Sequence, residues 1–317
     1  MTAERRAVLR RVGLLILGVN AGLVLAKGAV WYYTGSLAVE SEAINSLADT
    51  VYSVVTVAGL YLTTRPPDFE HPHGHERIEP FVSLFVAAGI LAAGGFVMYQ
   101  AITALSGDGV TVTSGGAAVA VLAGTVVVKL LLYRYCRRVG ERHNSPALVA
   151  TAMDNRADVL TATAAIAGVA GASMGYPVAD PLAAVVVAVG ILYTGADVVR
   201  DNLNYLLGAA PPEDLRAEIV KRALAHPEVE GAHDVIAHYV GPEIDVSLHI
   251  EVEGDHTLRE AHRIETEVIQ AVQALPAVDD VFVHVDPREL GEWKRDAEVD
   301  RLASYDPEDE SFGARQS

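Results

Sequence analysis

One cysteine, Cys136, in 317 residues excludes an intramolecular disulfide and a thiolate metal cluster. Lysine is scarce too, with four against twenty arginines, while 41 acidic residues bring the formal net charge to −17. No basic face is evident, which disfavours nucleic acid as a partner. So acidic and lysine-poor a soluble surface points to the salty cytoplasm of a salt-adapted prokaryote; the plainer alternative is an ordinary acidic bacterial protein. Catalytic signatures are missing as well. No nucleophile triad appears, and His73-Gly74-His75-Glu76 lacks the two histidines spaced four apart around a glutamate that a zinc hydrolase helix needs. The expectation is therefore a non-enzyme with no cofactor. What it has in quantity is apolar residues, 51% of the chain, with a mean hydropathy of +0.26, as befits a chain half in membrane and half in water.

Six segments are long and apolar enough to span a bilayer, which takes about 20 residues each. They run Val12–Tyr33, Leu37–Leu62, Phe81–Leu105, Ala117–Tyr135, Ala147–Met174 and Ala183–Leu207. An arginine-rich start could make the first a signal peptide, but its apolar run continues through Val30, Trp31 and Tyr32, residues suited to the interface. Arg5, Arg6, Arg10 and Arg11 precede the first span. Arg65 and Arg77 separate the second from the third, and Arg134, Arg137, Arg138 and Arg142 the fourth from the fifth. The loops near Gly35, Asp108 and Gly175 carry no Lys or Arg. The positive-inside rule then puts both termini in the cytoplasm, in a multi-pass protein of the cell membrane.

Beyond Gly208 the composition turns soluble. Ala210-Pro211-Pro212 breaks the last span, and Glu213–Ala225 reads as an amphipathic helix. A strand follows around Ala232–Val240. Next, Ile244, Val246, Leu248, Ile250 and Val252 alternate with Asp245, Ser247, His249 and Glu251, the period of a half-buried strand. Leu258–Leu275 is a second helix and Val281–Val285 a third strand. The order α-β-β-α-β makes a small α+β, ferredoxin-like sheet with helices on one face. The expected organisation is a six-helix transport domain over 1–208, a cytoplasmic domain over 209–288 and an acidic disordered tail over 289–317.

The polar residues inside the spans carry the chemistry. Asn45 and Asp49 lie four apart in the second span, Asp154 and Asp158 four apart in the fifth, so each pair projects from one helix face. Ionisable groups in hydrocarbon cost several kcal/mol and persist mainly where they line a pathway or bind something. A lone Asn is commonly a helix–helix hydrogen-bonding group; with three carboxylates it makes a four-ligand, all-oxygen cation site. Arg156 is rotated about 200° from Asp154 and points away. The loop between the second and third spans clusters His71, His73 and His75 with Asp68, Glu70, Glu76 and Glu79, a set as compatible with a solvated segment as with a metal site. In the soluble domain His249, His284 and Asp286 fall on polar strand faces, with His233 and His262 near them in the pattern.

Together these stretches resemble the cation diffusion facilitator family, and its manganese- and iron-type members in particular. The matching residues are Asn45-Ser-Leu-Ala-Asp49, Asp68-x-x-His71-Pro-His-Gly-His75-Glu-Arg-Ile-Glu79, Asp154-Asn-Arg-Ala-Asp158 and His284-Val-Asp286-Pro287, in family order from about Arg10 to Pro287. The resemblance implies a homodimeric, proton-coupled exporter of divalent transition metals, with the metal as substrate and possible regulator. It assigns Asn45, Asp49, Asp154 and Asp158 to the transport site and Asp68, His71 and His75 to a loop site. His233, His249, His262, His284 and Asp286 fall to a cytoplasmic cluster. Two departures stand out. Zinc exporters usually carry His where Asp154 stands and commonly Asp where Asn45 stands, which makes Mn(II) the expected ion, ahead of Fe(II) and Zn(II). The acidic residue that often follows the last span is Gly208, which removes a partner for Arg77 in the family's inter-subunit charge interlock. A membrane-anchored metal sensor or chaperone is the competing class, and a metal-dependent membrane hydrolase a third.

Overall fold

The computed structural model describes residues 3–34, 37–66, 68–71, 74–106, 116–174, 176, 178–276, 278–288 and 296–305. The loops at Gly35, Asp108 and Gly175, His73, and residues 289–295 and 306–317 of the tail lie outside them. The chain divides into two compact units, Met1–Leu203 and Asn204–Ser317.

The first unit is built of long helices: α1 (Ala3–Thr34), α2 (Leu37–Thr63), α3 (Ile78–Leu105), α4 (Gly116–Arg142), α5 (Pro146–Ser173) and α6 (Ala179–Leu207). Among the described residues five of them, all but α5, are long and apolar enough to cross a membrane. The expectation of six apolar spans is corrected at that point. α5 has the length, at 28 residues, but Asp154, Arg156 and Asp158 stand within five positions of it. It packs between α3 and α4, which keeps Asp154 and Asp158 partly covered while Arg156 stays exposed. Two helices outrun their apolar segments. α1 starts at Ala3 rather than Val12, and α4 ends at Arg142 rather than Tyr135, because a helix continues past the hydrocarbon at no cost to its backbone bonds.

The α4–α5 connection is a tight hairpin. Asn144 takes a left-handed conformation (φ 46°), and Ser145 bonds back to Gly140 O at 2.8 Å. Pro146 fills the first helical position, where its missing N–H is not needed. Arg5 donates to the carbonyls of His143 (2.8 Å) and Asn144 (3.1 Å), placing a cation on the unsatisfied end of α4. Where α2 meets α3, a Cβ on Gly59 would lie 2.1 Å from Val82 Cγ2; only glycine permits that approach.

The second unit orders as α7 (Glu213–Leu224), β1 (Gly231–Val240), β2 (Glu243–Val252), α8 (Leu258–Gln273), β3 (Val278–Pro287) and α9 (Ala297–Ala303). β2 is central, antiparallel to β1 and parallel to β3. The expected alternation holds: Ile244, Val246, Leu248, Ile250 and Val252 are buried against Ile219 of α7 and Ile264, Val268 and Val272 of α8. Thr257 and Glu260 form a capping box that starts α8. The tail departs from expectation over 297–303. Val299 and Leu302 are buried on Ala217 and Val220 of α7, and Asp296 caps α9 by accepting from the N–H groups of Glu298 and Val299. Four apolar positions in a short acidic stretch suffice once a neighbouring helix offers a groove.

Candidate metal centres

In the first unit, α2 supplies Asp49 and α5 supplies Asp154 and Asp158. Ligand oxygens of the three lie within 4.8 Å of one another, brought together by the four-residue spacing on α5 and the approach of α2. Asn45 stands one turn before Asp49 and is exposed; the cluster as found is the three aspartates. Arg156 is also exposed, on the far side of α5. Support comes from behind α2: Asn20 of α1 donates to Ser53 Oγ (2.7 Å), which donates to Asp49 O (2.7 Å). Gly89 of α3 leaves room for Tyr52, whose ring would stand 2.8 Å from a Cβ there.

One residue at this centre is not among those the sequence singles out. Lys129 of α4, 1% exposed, donates to Asp49 Oδ2 at 2.8 Å and stands 2.7 Å from Asp158 Oδ2. The hairpin explains its depth. Lys129 lies 15 residues before Asn144 and Asp158 14 after it, so antiparallel helices carry them to the same level. A lone lysine in the apolar run Ala117–Tyr135 was the available signal.

In the loop between α2 and α3, Asp68 gathers both histidines. Its Oδ1 is 3.2 Å from His71 Nδ1 and its Oδ2 3.5 Å from His75 Nε2. Gly74, at φ 85°, permits the return of the chain toward Asp68. The backbone N–H of His71 is the largest influence on the Asp68 carboxyl; with the His71 side chain and the N–H of Glu70 it outweighs the opposing effect of desolvation and holds the group below its usual range.

In the second unit, strand register makes the cluster. His233, His249 and His284 are direct partners across β1, β2 and β3, with ring centroids 5.0 and 4.7 Å apart. Asp286 Oδ2 is 2.9 Å from His249 Nδ1 and 3.4 Å from His233 Nε2, and its Oδ1 is 3.1 Å from His284 Nε2. Burial alone would raise the Asp286 carboxyl; the His249 hydrogen bond and the charges of His284, His249 and His233 outweigh it and hold it low. Asp234 joins His233 and His249 in a second triad. It sits at φ 48° where the β1 register shifts between His233 and Ile236, a bulge that sequence alternation does not disclose. His262 stands apart: it is exposed on α8, its Nδ1 2.9 Å from Glu265, and belongs to none of the metal-capable groups among the described residues.

Residues 13–207 match the cation efflux transmembrane domain and residues 211–288 the cytoplasmic domain of cation efflux proteins. The chain belongs to the cation diffusion facilitator family. An uncharacterized transporter of Methanocaldococcus jannaschii is 34% identical over 89% of this chain and 98% of its own. The magnetosome protein MamB of Magnetospira is 29% identical over 85% and 92%. The manganese efflux system protein MneS of Bacillus subtilis is 27% identical over 86% and 94%. This facilitator is thus a polytopic membrane transporter of divalent transition metals, not an enzyme, and metal is its cargo. Gly208, found where many facilitators carry an acid, takes φ 68° and ends α6, with Ala209 N bonded to Asn204 O at 3.0 Å; a side chain there would be strained.

Proposed function

We propose that this facilitator exports Mn(II) from the cytoplasm in exchange for protons. It works as a homodimer with both termini cytoplasmic, α5 as a sixth span and Asn45 completing the site of Asp49, Asp154 and Asp158. The observation that supports this reading is the donor set, three carboxylates from two helices converging with no imidazole or thiolate joining them among the described residues. Zinc favours tetrahedral nitrogen and sulfur ligands and outcompetes manganese at mixed sites. A site favours the harder ion by withholding soft ligands and leaving room for further oxygens. The similarity to a protein named for manganese efflux points the same way. Ligating carboxylates must be ionised, so protons and metal compete for one set of groups, and a proton gradient can then drive metal uphill. An anchored sensor has no need of such a cluster among its spans.

The test is metal flux in sealed proteoliposomes under an imposed pH gradient, with Mn(II), Fe(II) and Zn(II) in turn. Expected is Mn(II) flux above the other two, dependent on the gradient, and a shift toward Zn(II) in Asp154→His. Robust Zn(II) flux without Mn(II) flux in the unmodified protein would sink the assignment.

A further inference from the structure

Lys129 has no part in a four-ligand site, yet it occupies the middle of this one. Its ammonium is held by Asp49 of α2 and Asp158 of α5, at 2.8 and 2.7 Å. Any metal that takes an oxygen from each of Asp49, Asp154 and Asp158 draws on the two carboxylates whose Oδ2 atoms Lys129 holds. The ammonium and a bound ion would also repel at that range, and more strongly in a dry interior than in water. The two are therefore competitors for the same carboxylates.

We propose that Lys129 is a tethered competing cation: it occupies the aspartate cluster when no metal is there, is displaced by the incoming ion, and returns to help expel it. The proposal rests on the aspartates being the transport site. Charge gives the device its valence. Three ionised aspartates and the Lys129 ammonium sum to −2, which a single divalent ion neutralises; without Lys129 the aspartates carry −3, opposed only by the further charge of Lys27, also buried and acting on Asp49. The tether also answers a problem of any tight buried site, since charges left unpaired in a low-dielectric interior are costly and would hold their ion too long. A lysine suits the task where arginine would not, being a compact charge on a flexible stem. The bland alternative is a purely structural ion pair that pins α2, α4 and α5 together.

The experiment measures Mn(II) binding calorimetrically on the purified full-length protein at one pH, in an Asp68→Ala, His249→Ala background that removes the carboxylate of the loop cluster and the histidine shared by both triads of the soluble unit. Lys129→Met is expected to bind Mn(II) about tenfold or more tightly, as loss of a competing charged hydrogen bond implies, and to transport it more slowly. Lys129→Met is also expected to restore part of the affinity lost in Asp49→Asn. A structural pair predicts the opposite, binding unchanged or weaker in Lys129→Met and no rescue in the double variant, and either result overturns the proposal. If Lys129→Met alone does not fold, the comparison of Asp49→Asn with Asp49→Asn/Lys129→Met decides. Asp154→Ala separates the two readings. If it binds Mn(II) normally, the transport site is elsewhere and Lys129's role falls with it. If it loses binding while Lys129→Met changes nothing, only the role of Lys129 falls.

Discussion

Asp49 and Asp158 each hold Lys129 and, in the proposed site, would each ligate the metal as well, so their loss would act twice. Removing either deletes a ligand and leaves the ammonium of Lys129 with one partner, a buried charge half compensated. Asp49→Ala and Asp158→Ala are each expected to abolish pH-driven metal flux in proteoliposomes while the protein still purifies folded; flux at the unmodified rate would rule the residue out as a ligand. Asp286 makes a different prediction, because its carboxyl titrates below the ordinary value of 3.8. A group depressed on folding stabilises the fold above its unfolded value, and that contribution is lost as pH falls through the folded one. Urea unfolding of a segment covering residues 209–305 should therefore weaken as pH drops below about 4. Asp286→Asn should flatten the dependence in that window and leave the region above it unchanged in slope.

Among the elements, α9 sets the boundary of the soluble unit further on than the sequence pattern does. Arg216 pairs with Glu298, Arg301 with Glu213 at 3.1 Å, and Lys221 donates to Tyr305 O at 2.7 Å, so α7 and α9 are joined by charge as well as by Val299 and Leu302. Leu302→Ala is expected to cost about 2–4 kcal/mol of unfolding free energy, as for other fully buried leucines. A segment ending at Pro287 should be less stable than one ending at Tyr305 by at least as much in the same urea titration. Between α2 and α3 the tolerance is set by one glycine. Gly59→Leu would drive a side chain into Val82, and the expected outcome is a protein that is poorly recovered from membranes or lowered in thermal midpoint, with little change from Gly18→Leu, which meets nothing within 4 Å.

For the whole molecule, the sheet face opposite the helices carries both the histidine row and two exposed apolar side chains. Ile236 and Phe282 flank Ser247 in a single cross-strand row, at 58% and 60% exposure. The proposed homodimer would cover them, and metal on His249, His284 and Asp286 beside them would tighten the pairing. Metal that binds the dimer more strongly than the monomer shifts the equilibrium by mass action, by about 2.7 kcal/mol at a hundredfold excess over its dissociation constant. Sedimentation of residues 209–305 should accordingly show a dimer strengthened by Mn(II) and weakened in Phe282→Glu. A monomer indifferent to micromolar metal would remove the regulatory role.

The sequence by itself determined whatever depends on neighbours along one helix or strand. Asp154 and Asp158 share a face because they are four apart, and β2 buries Ile244, Val246, Leu248, Ile250 and Val252 because they alternate with polar residues. Only the tertiary structure decided what depends on register between elements. The α4–α5 hairpin brings Lys129 level with Asp158, and the strand pairing lines up His233, His249 and His284 while leaving His262 on the far side of α8. Asp234 reaches the cluster through a bulge. Burial of α5 between α3 and α4 lets a charged helix stand beside five apolar ones. Periodicity fixes a side chain's direction about its own axis; it carries no information on which partner stands opposite or at what depth.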